Sequence, residues 1–327
     1  MSNFKNVSFG ILIAINSFTV LAQNKLAVDY VNPLIGTPVE GFEGKDGGGT
    51  MPCVGTPFAM TNFVPQTRDN KISKMPYAYE DNTIRGFMAT HQPTVWMGDY
   101  GYVSVMPQIG KLKLMPDERA LSYTHDDEIS KPYHYQVTMD AFGKKIKGEI
   151  AAASRCGMFQ FTFPKSEESH LIIQGINVSE NKVPFQGYVQ VNEVKGEITG
   201  YNPERMSAHL GAELKNFKGY FVIQFDKEFN DFGTWNSFRN EPEIHIKGTE
   251  QTGQRMGAYI SFSTKKNEII KVRVATSFIS IEQARINLDK EIPHWNFNQV
   301  VNDTKNTWEE NLSRIKVDGA SETQKEI

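Results

Sequence analysis

Between Tyr102 and Ile279 apolar and polar residues alternate with a period of two, in short runs broken by Gly, Pro, Asn and Asp. This is the pattern of β-strands with one buried and one solvated face. "YVSVMP" reads as a strand closed by Pro107, and "YHYQVTMD" is turned by "AFGKK" into "IKGEIAAA". "GMFQFTFP" sets Phe159, Phe161 and Phe163 on one face and stops at Pro164. "HLIIQGINV", "GYVQVNEV", "GEITGYN", "GYFVIQFD", "EIHIKG", "GAYISFS" and "IIKVRVATSFI" continue the series. Turn signals roughly every ten residues predict a mainly β fold, a large antiparallel β-sandwich.

After Ser280 the period lengthens to that of a helix. "SIEQARINLDKEI" brings Ile281, Ala284, Leu288 and Ile292 onto one face, and "WNFNQVVNDTKNTWEENLSRI" does so with Val300, Thr304, Trp308, Leu312 and Ile315. Two linker helices therefore follow the sandwich, and the bare apolar face they are expected to present to solvent predicts association. "GASETQKEI" then carries Ser321 with Gln324 three residues on, a capping box that opens another helix. A helix of one turn is not stable alone, so the chain is expected to be cut where a helical domain begins. The resulting division is a leader over 1–22, a sandwich over 23–280, and over 281–327 a helical linker with the start of that further domain.

Charge and composition remove several classes. Lys+Arg 35 against Asp+Glu 38 leaves a net charge of −3 without a basic stripe, which argues against a nucleic-acid partner. The opening "MSNFKNVSFGILIAINSFTVLAQNK" has Lys5, a short apolar segment and "VLA" ahead of Gln23. It reads as a secretory signal cleaved near Gln23, too short and interrupted for a membrane span. A periplasmic or secreted protein without a transmembrane span in its mature chain is expected. Cys53 and Cys156 are the two cysteines, and their spacing leaves open whether they pair or are small buried residues. CxxC, HExxH and DxDxDG patterns are absent from the sequence, so no metal ligands are predicted.

The chemistry concentrates in "GFMATHQPTVWMGDYGYVSV", Gly86 to Val105. Trp96 offers a flat apolar face and an indole N–H donor, the combination that meets the C–H face and hydroxyls of a sugar ring. Gly98 and Gly101 let the backbone turn sharply and approach another surface. The alternative is that Trp96 fills the sandwich end while Asp99 caps a turn.

Several separated stretches resemble the N-terminal region of glycoside hydrolase family 92: "DYVNPLIGT", "GGGTMPCVGTPFAMTNFVPQTRDN", "TIRGFMATHQPTVWMGDYGYVSVMPQIG" and "VRVATSFISIEQARINLDKEIPHW". The resemblance implies a calcium-dependent, inverting exo-α-mannosidase made of a β-sandwich, a helical linker and an (α/α)6 catalytic barrel, the barrel being absent here. Inversion uses an acid and a water-activating base roughly 6.5–9.5 Å apart. In the family both belong to the barrel with the principal calcium ligands. No catalytic residue is therefore assigned, Asp99 and Glu80 included, and no cofactor is expected for this stretch alone.

The resemblance also implies an active site between the two domains, with sandwich loops in its wall. Mannose-containing glycans and the C-terminal catalytic domain are then the expected partners. Trp96 becomes a contact to the leaving-group sugar of α-1,2 linkages. Asp99 is an interface residue or a turn cap, and His91 a sugar contact or a structural hydrogen-bonder. Arg68 is a bidentate clamp on an acidic residue of the other domain or a surface arginine. "DGGGT" (46–50) lacks the Lys-Ser/Thr of a phosphate loop and reads as a tight crossing near the interface. The function expected is the N-terminal part of an exported α-mannosidase, inactive alone. The alternatives are a non-catalytic carbohydrate-binding sandwich and a bare structural domain.

Overall fold

The computed structural model describes residues 25–38, 49–69, 71–178, 186–206, 214–229, 231–238 and 241–326. The signal segment and most of "DGGGT" lie outside the described residues.

The first half of the chain forms β1 (Asn62–Gln66), β2 (Thr83–Ile84), β3 (Gly86–Thr90) and β4 (Val103–Ile109). A helical turn, α1 (Pro116–Arg119), leads to β5 (Leu121–Ser122), β6 (Glu128–Lys131), β7 (His134–Ala141) and β8 (Lys144–Ala152). Then follow β9 (Cys156–Phe163), β10 (Ser166–Asn177), β11 (Gly187–Asn192), β12 (Glu197–Asn202) and β13 (Gly219–Phe225). The series closes with β14 (Asp231–Phe238), β15 (Glu241–Ile246), β16 (Glu250–Gly253), β17 (Arg255–Thr264) and β18 (Glu268–Ser277). Two helices come last, α2 (Ile281–Glu291) and α3 (Phe297–Leu312), before a single turn, α4 (Glu322–Lys325).

The strands build two antiparallel sheets. One runs β1-β3-β4-β10-β17-β14-β15; the other runs β16-β11-β12-β13-β18-β9-β8-β7-β5-β2, with β6 on β7. Their inner faces share one core, in which Phe159, Phe161 and Phe163 all point inward as their spacing predicts. Aromatic pairs cross between the sheets: Phe87 meets Phe161 edge-on at 5.1 Å, and Phe163 meets Phe262 at 5.7 Å. The expected sandwich is the observed fold.

β9 ends before Pro164 as expected, but β4 does not end at Pro107. It continues to Ile109, with Pro107 opposite Leu171 of β10. The proline is tolerated because β3 pairs with β4 only as far as Val105, leaving that side of β4 without a ladder bond to lose.

The linker helices are not left bare. Ala284 and Leu288 from α2 and Ile292 just after it, with Phe297 and Val300 from α3, pack on Cys156, Met158, Val222 and Ala275 of the larger sheet's outer face. Ser280 caps α2 by accepting from the Gln283 N–H, and Arg285 pairs with the buried Glu197 of β12 at 2.6 Å. On α3, Thr304 donates to the Ala152 carbonyl and Trp308 Nε1 to the Gly55 carbonyl at 2.7 Å. The expected apolar face is thus largely sealed by the sandwich; Ile315 and Val317, just after α3, remain exposed. Side-chain alternation on the outer sheet face could not reveal this, because Val222 and Ala275 are buried by residues of a different element further along the chain.

Candidate functional site

The smaller sheet has a second, outer core beneath the tryptophan loop. Val64 of β1 and Met88 of β3 point outward and are covered by Met51, Met75, Tyr77, Val95 and Tyr102. Val95 is therefore the loop's anchor, 8% exposed, while its neighbour Trp96 stands 58% exposed. The two lie at the corner of a turn closed by the Met97 N–H on the Thr94 carbonyl at 3.1 Å.

Both flanks of the loop are pinned. On one side the Ser73 N–H donates to the Val95 carbonyl, and Gln92 Nε2 to that of Lys74. On the other, the Gly101 N–H donates to the Glu204 carbonyl and the Met206 N–H to that of Asp99, each at 3.0 Å. Two glycines make the approach possible. Gly98 has φ +72°, and a Cβ there would lie 2.5 Å from Met206 Cβ; at Gly101, φ +65°, it would lie 2.6 Å from Gly219 Cα. Both positions need the left-handed region and the missing side chain.

Asp99 lies under the loop, fully buried. One carboxylate oxygen accepts from the Thr90 hydroxyl at 2.6 Å; the other accepts from the His91 and Tyr100 N–H groups at 2.7 Å. This is the turn-capping arrangement. His91 Nδ1 is 2.7 Å from the Tyr100 carbonyl, which only accepts, so Nδ1 carries the proton and Nε2 faces the Thr61 hydroxyl at 3.1 Å. Burial holds the His91 pKa below its ordinary value against the opposing pull of Asp99, which keeps the ring neutral. Arg68 does form a bidentate clamp, at 2.6 and 3.0 Å, but onto Asp81 of the same sandwich. Trp96, Asp99 and His91 are thus brought together in one loop, Trp96 outward and the other two beneath it. Arg68 belongs to the neighbouring turn. Glu80 is exposed on that turn.

A half-buried carboxyl with no signal in the sequence lies beside the loop. Glu204 accepts from the Tyr102 hydroxyl at 2.7 Å, and Tyr102 Oη in turn accepts from the Asn177 N–H. Burial pushes the Glu204 pKa up to about 7; the Tyr102 hydroxyl opposes this and Asp99 reinforces it. The raised value means that the folded state holds the proton more tightly than the unfolded chain. Its stabilising contribution is complete below about pH 4.5, the ordinary value, and is lost as the pH rises through about 7. Thermal melting across that window should show a decline in the native chain that Glu204→Gln flattens. Superimposable profiles for the two proteins would refute the assignment.

Cys53 and Cys156 are both free thiols in different clusters, and burial pushes Cys53 up to about 12. Among the described residues no three His, Cys, Asp or Glu side chains converge as metal ligands would. Calcium is therefore assigned to no described residue, and no step is routed through it. Among them too, no helix is long and apolar enough to cross a membrane.

The sequence profile of the glycosyl hydrolase family 92 N-terminal domain matches residues 30–277, and that of the family 92 catalytic domain matches residues 283–327. A family 92 inverting mannosidase from Bacteroides thetaiotaomicron superposes with a TM-score of 0.81 at 29% identity, over 92% of this chain and 38% of its own. A family 92 α-mannosidase from the same organism, solved with mannoimidazole, does so with a TM-score of 0.75 at 25% identity, over 92% of this chain and 39% of its own. A protein of Arthroderma benhamiae named as an uncharacterised secreted glycosidase is 24% identical over 88% of this chain and 38% of its own length. The chain thus spans less than two fifths of the relatives it matches. With a continuous profile match over most of its length and the same sandwich in its solved relatives, the chain belongs to glycosyl hydrolase family 92.

Proposed function

We infer that this chain is the substrate-facing sandwich of an exported α-mannosidase that removes terminal mannose from glycans with inversion, with a preference for α-1,2 linkages. The observation that carries the reading is the pose of Trp96. A large aromatic 58% exposed is held on a loop pinned from two sides, in a family whose solved relatives include mannosidases. An unsupported exposed tryptophan would lose conformational freedom on binding, a cost that this one, already held in place, largely avoids. Its ring stacks on the C–H face of the sugar departing from the cleaved bond, and its N–H is a donor for a hydroxyl. Asp99 and His91 act as positioning residues by fixing the backbone that carries Trp96. Arg68 acts more remotely, by tying the adjacent turn through Asp81. The proton donor and the water-activating base are assigned to no residue of this chain. Export is supported by the leader-like first residues and by a relative named as secreted.

The test is to join the chain in frame to the catalytic domain of a family 92 relative and assay mannose release from α-mannobiosides, following the anomer first formed by NMR. Release of the inverted anomer by the joined protein, with none from this chain alone, is expected. Hydrolysis by this chain alone, or retention of configuration, would overturn the reading.

A further inference from the structure

The outer face of the larger sheet is not used evenly. Where α2 lies on it, the residues that point outward are sealed: Val222 and Ala275 are fully buried and Thr199 is nearly so. The next outward row, one pleat along, consists of three tyrosines in register. Tyr188 of β11 pairs with Tyr201 of β12, which pairs with Tyr220 of β13. All three are half-buried. The rings of Tyr188 and Tyr201 are stacked, with centroids 5.6 Å apart and planes 26° from parallel; Tyr201 and Tyr220 meet edge-on at 6.0 Å. Neighbouring strands are about 4.8 Å apart, so the row spans roughly 10 Å.

The row continues toward the tryptophan loop. Gly219, which precedes Tyr220, is the residue against which Gly101 packs. Phe217 meets the Tyr100 ring edge-on at 6.1 Å. An aromatic strip therefore leaves the loop and crosses three strands.

The geometry points to Tyr188, Tyr201 and Tyr220 as a distal carbohydrate platform, a second surface on which a neutral mannose polysaccharide lies beyond the sugar at Trp96. The assignment of mannose rests on the function proposed above; the platform itself rests on the row. Tyrosine rings present a flat apolar face with a polar rim, matched to pyranose rings whose C–H faces are apolar and whose edges are hydroxyls. Lys218 lies with Nζ 3.9 Å over the Tyr201 ring, a cation–π contact of modest strength when exposed; a sugar stacking on that face displaces the ammonium, which then donates to its hydroxyls. Glu250 lies beside Tyr188, and a carboxylate there disfavours a polyanion such as nucleic acid but not an uncharged glycan.

The test is affinity electrophoresis of the full chain in gels containing yeast α-mannan, with Tyr201→Ala, Tyr188→Ala, Tyr201→Phe and Trp96→Ala run beside it and melting curves to check folding. Retardation of the native chain is expected, weakened roughly tenfold in apparent affinity by either alanine at the row, the scale of one lost aromatic contact. Tyr201→Phe should keep most of it, whereas Trp96→Ala should weaken it without abolishing it. If Trp96→Ala alone loses retardation, the platform is overturned while the Trp96 reading stands. If the native chain is not retarded, or if joining a relative's catalytic domain abolishes retardation because that domain covers the row, the platform is likewise overturned. Tyr188 stands on β11, away from the contacts of α2, so its variant keeps the test sound should Tyr201→Ala fail to fold.

Discussion

In the joined enzyme Trp96→Ala should slow hydrolysis of α-1,2-mannobiose by about 10- to 200-fold, a loss of about 1–3 kcal/mol. An activated aryl mannoside should lose far less. The asymmetry follows from where the ring stands. Trp96 is fixed on a turn whose neighbour Val95 is buried in the outer core, so its contact is preorganised and disappears as a unit when the ring is removed. With the disaccharide, that contact holds the departing sugar; the aryl substrate has a better leaving group and depends less on it. Steady-state kcat/KM for both substrates is the measurement. Equal losses would move Trp96 out of the leaving-group subsite, and unchanged rates would make it a surface residue of the sandwich end.

Asp99→Ala should destabilise the chain by about 3 kcal/mol, as two buried N–H groups and a hydroxyl each lose their acceptor. Those groups are the His91 and Tyr100 N–H and the Thr90 hydroxyl, and water cannot replace a carboxylate that is fully buried. Asp99→Asn keeps one oxygen and an amide that can donate to Thr90, so it should cost less than half as much. The urea midpoint at constant slope reads the change. In the joined enzyme the alanine variant should also resemble Trp96→Ala in its substrate asymmetry, because the loop has lost its internal brace. An unshifted midpoint would show that the cap contributes nothing to folding.

The strands that alternate were legible because period-two patterning is local: β7 reads in-out along all eight residues, and the three phenylalanines of β9 face one core. β3 resists such reading, and β4 reads as a strand only as far as Pro107. Both are buried along their whole length; in β3, Phe87 and Ala89 meet the opposite sheet while Met88 meets the loop core that holds Val95. Two-sided burial erases alternation. β14, with a glycine in its run and Trp235 buried outside the main core, lacks alternation for a related reason.

Trp96 and its glycines could be singled out from the sequence because a large aromatic amid turn residues is conspicuous there. The sequence also determined the helices, whose apolar faces repeat with their own period. Only the tertiary structure decided where those faces and polar groups go: α2 and α3 against the outer sheet, Asp99 inward beneath its own loop, Arg68 onto Asp81, and three tyrosines from separate strands into one row. Each of these depends on contacts between elements distant in the chain or on the direction a loop takes, and neither is encoded in local periodicity. A residue's type states what it can bond to, whereas the fold determines which partner comes within reach.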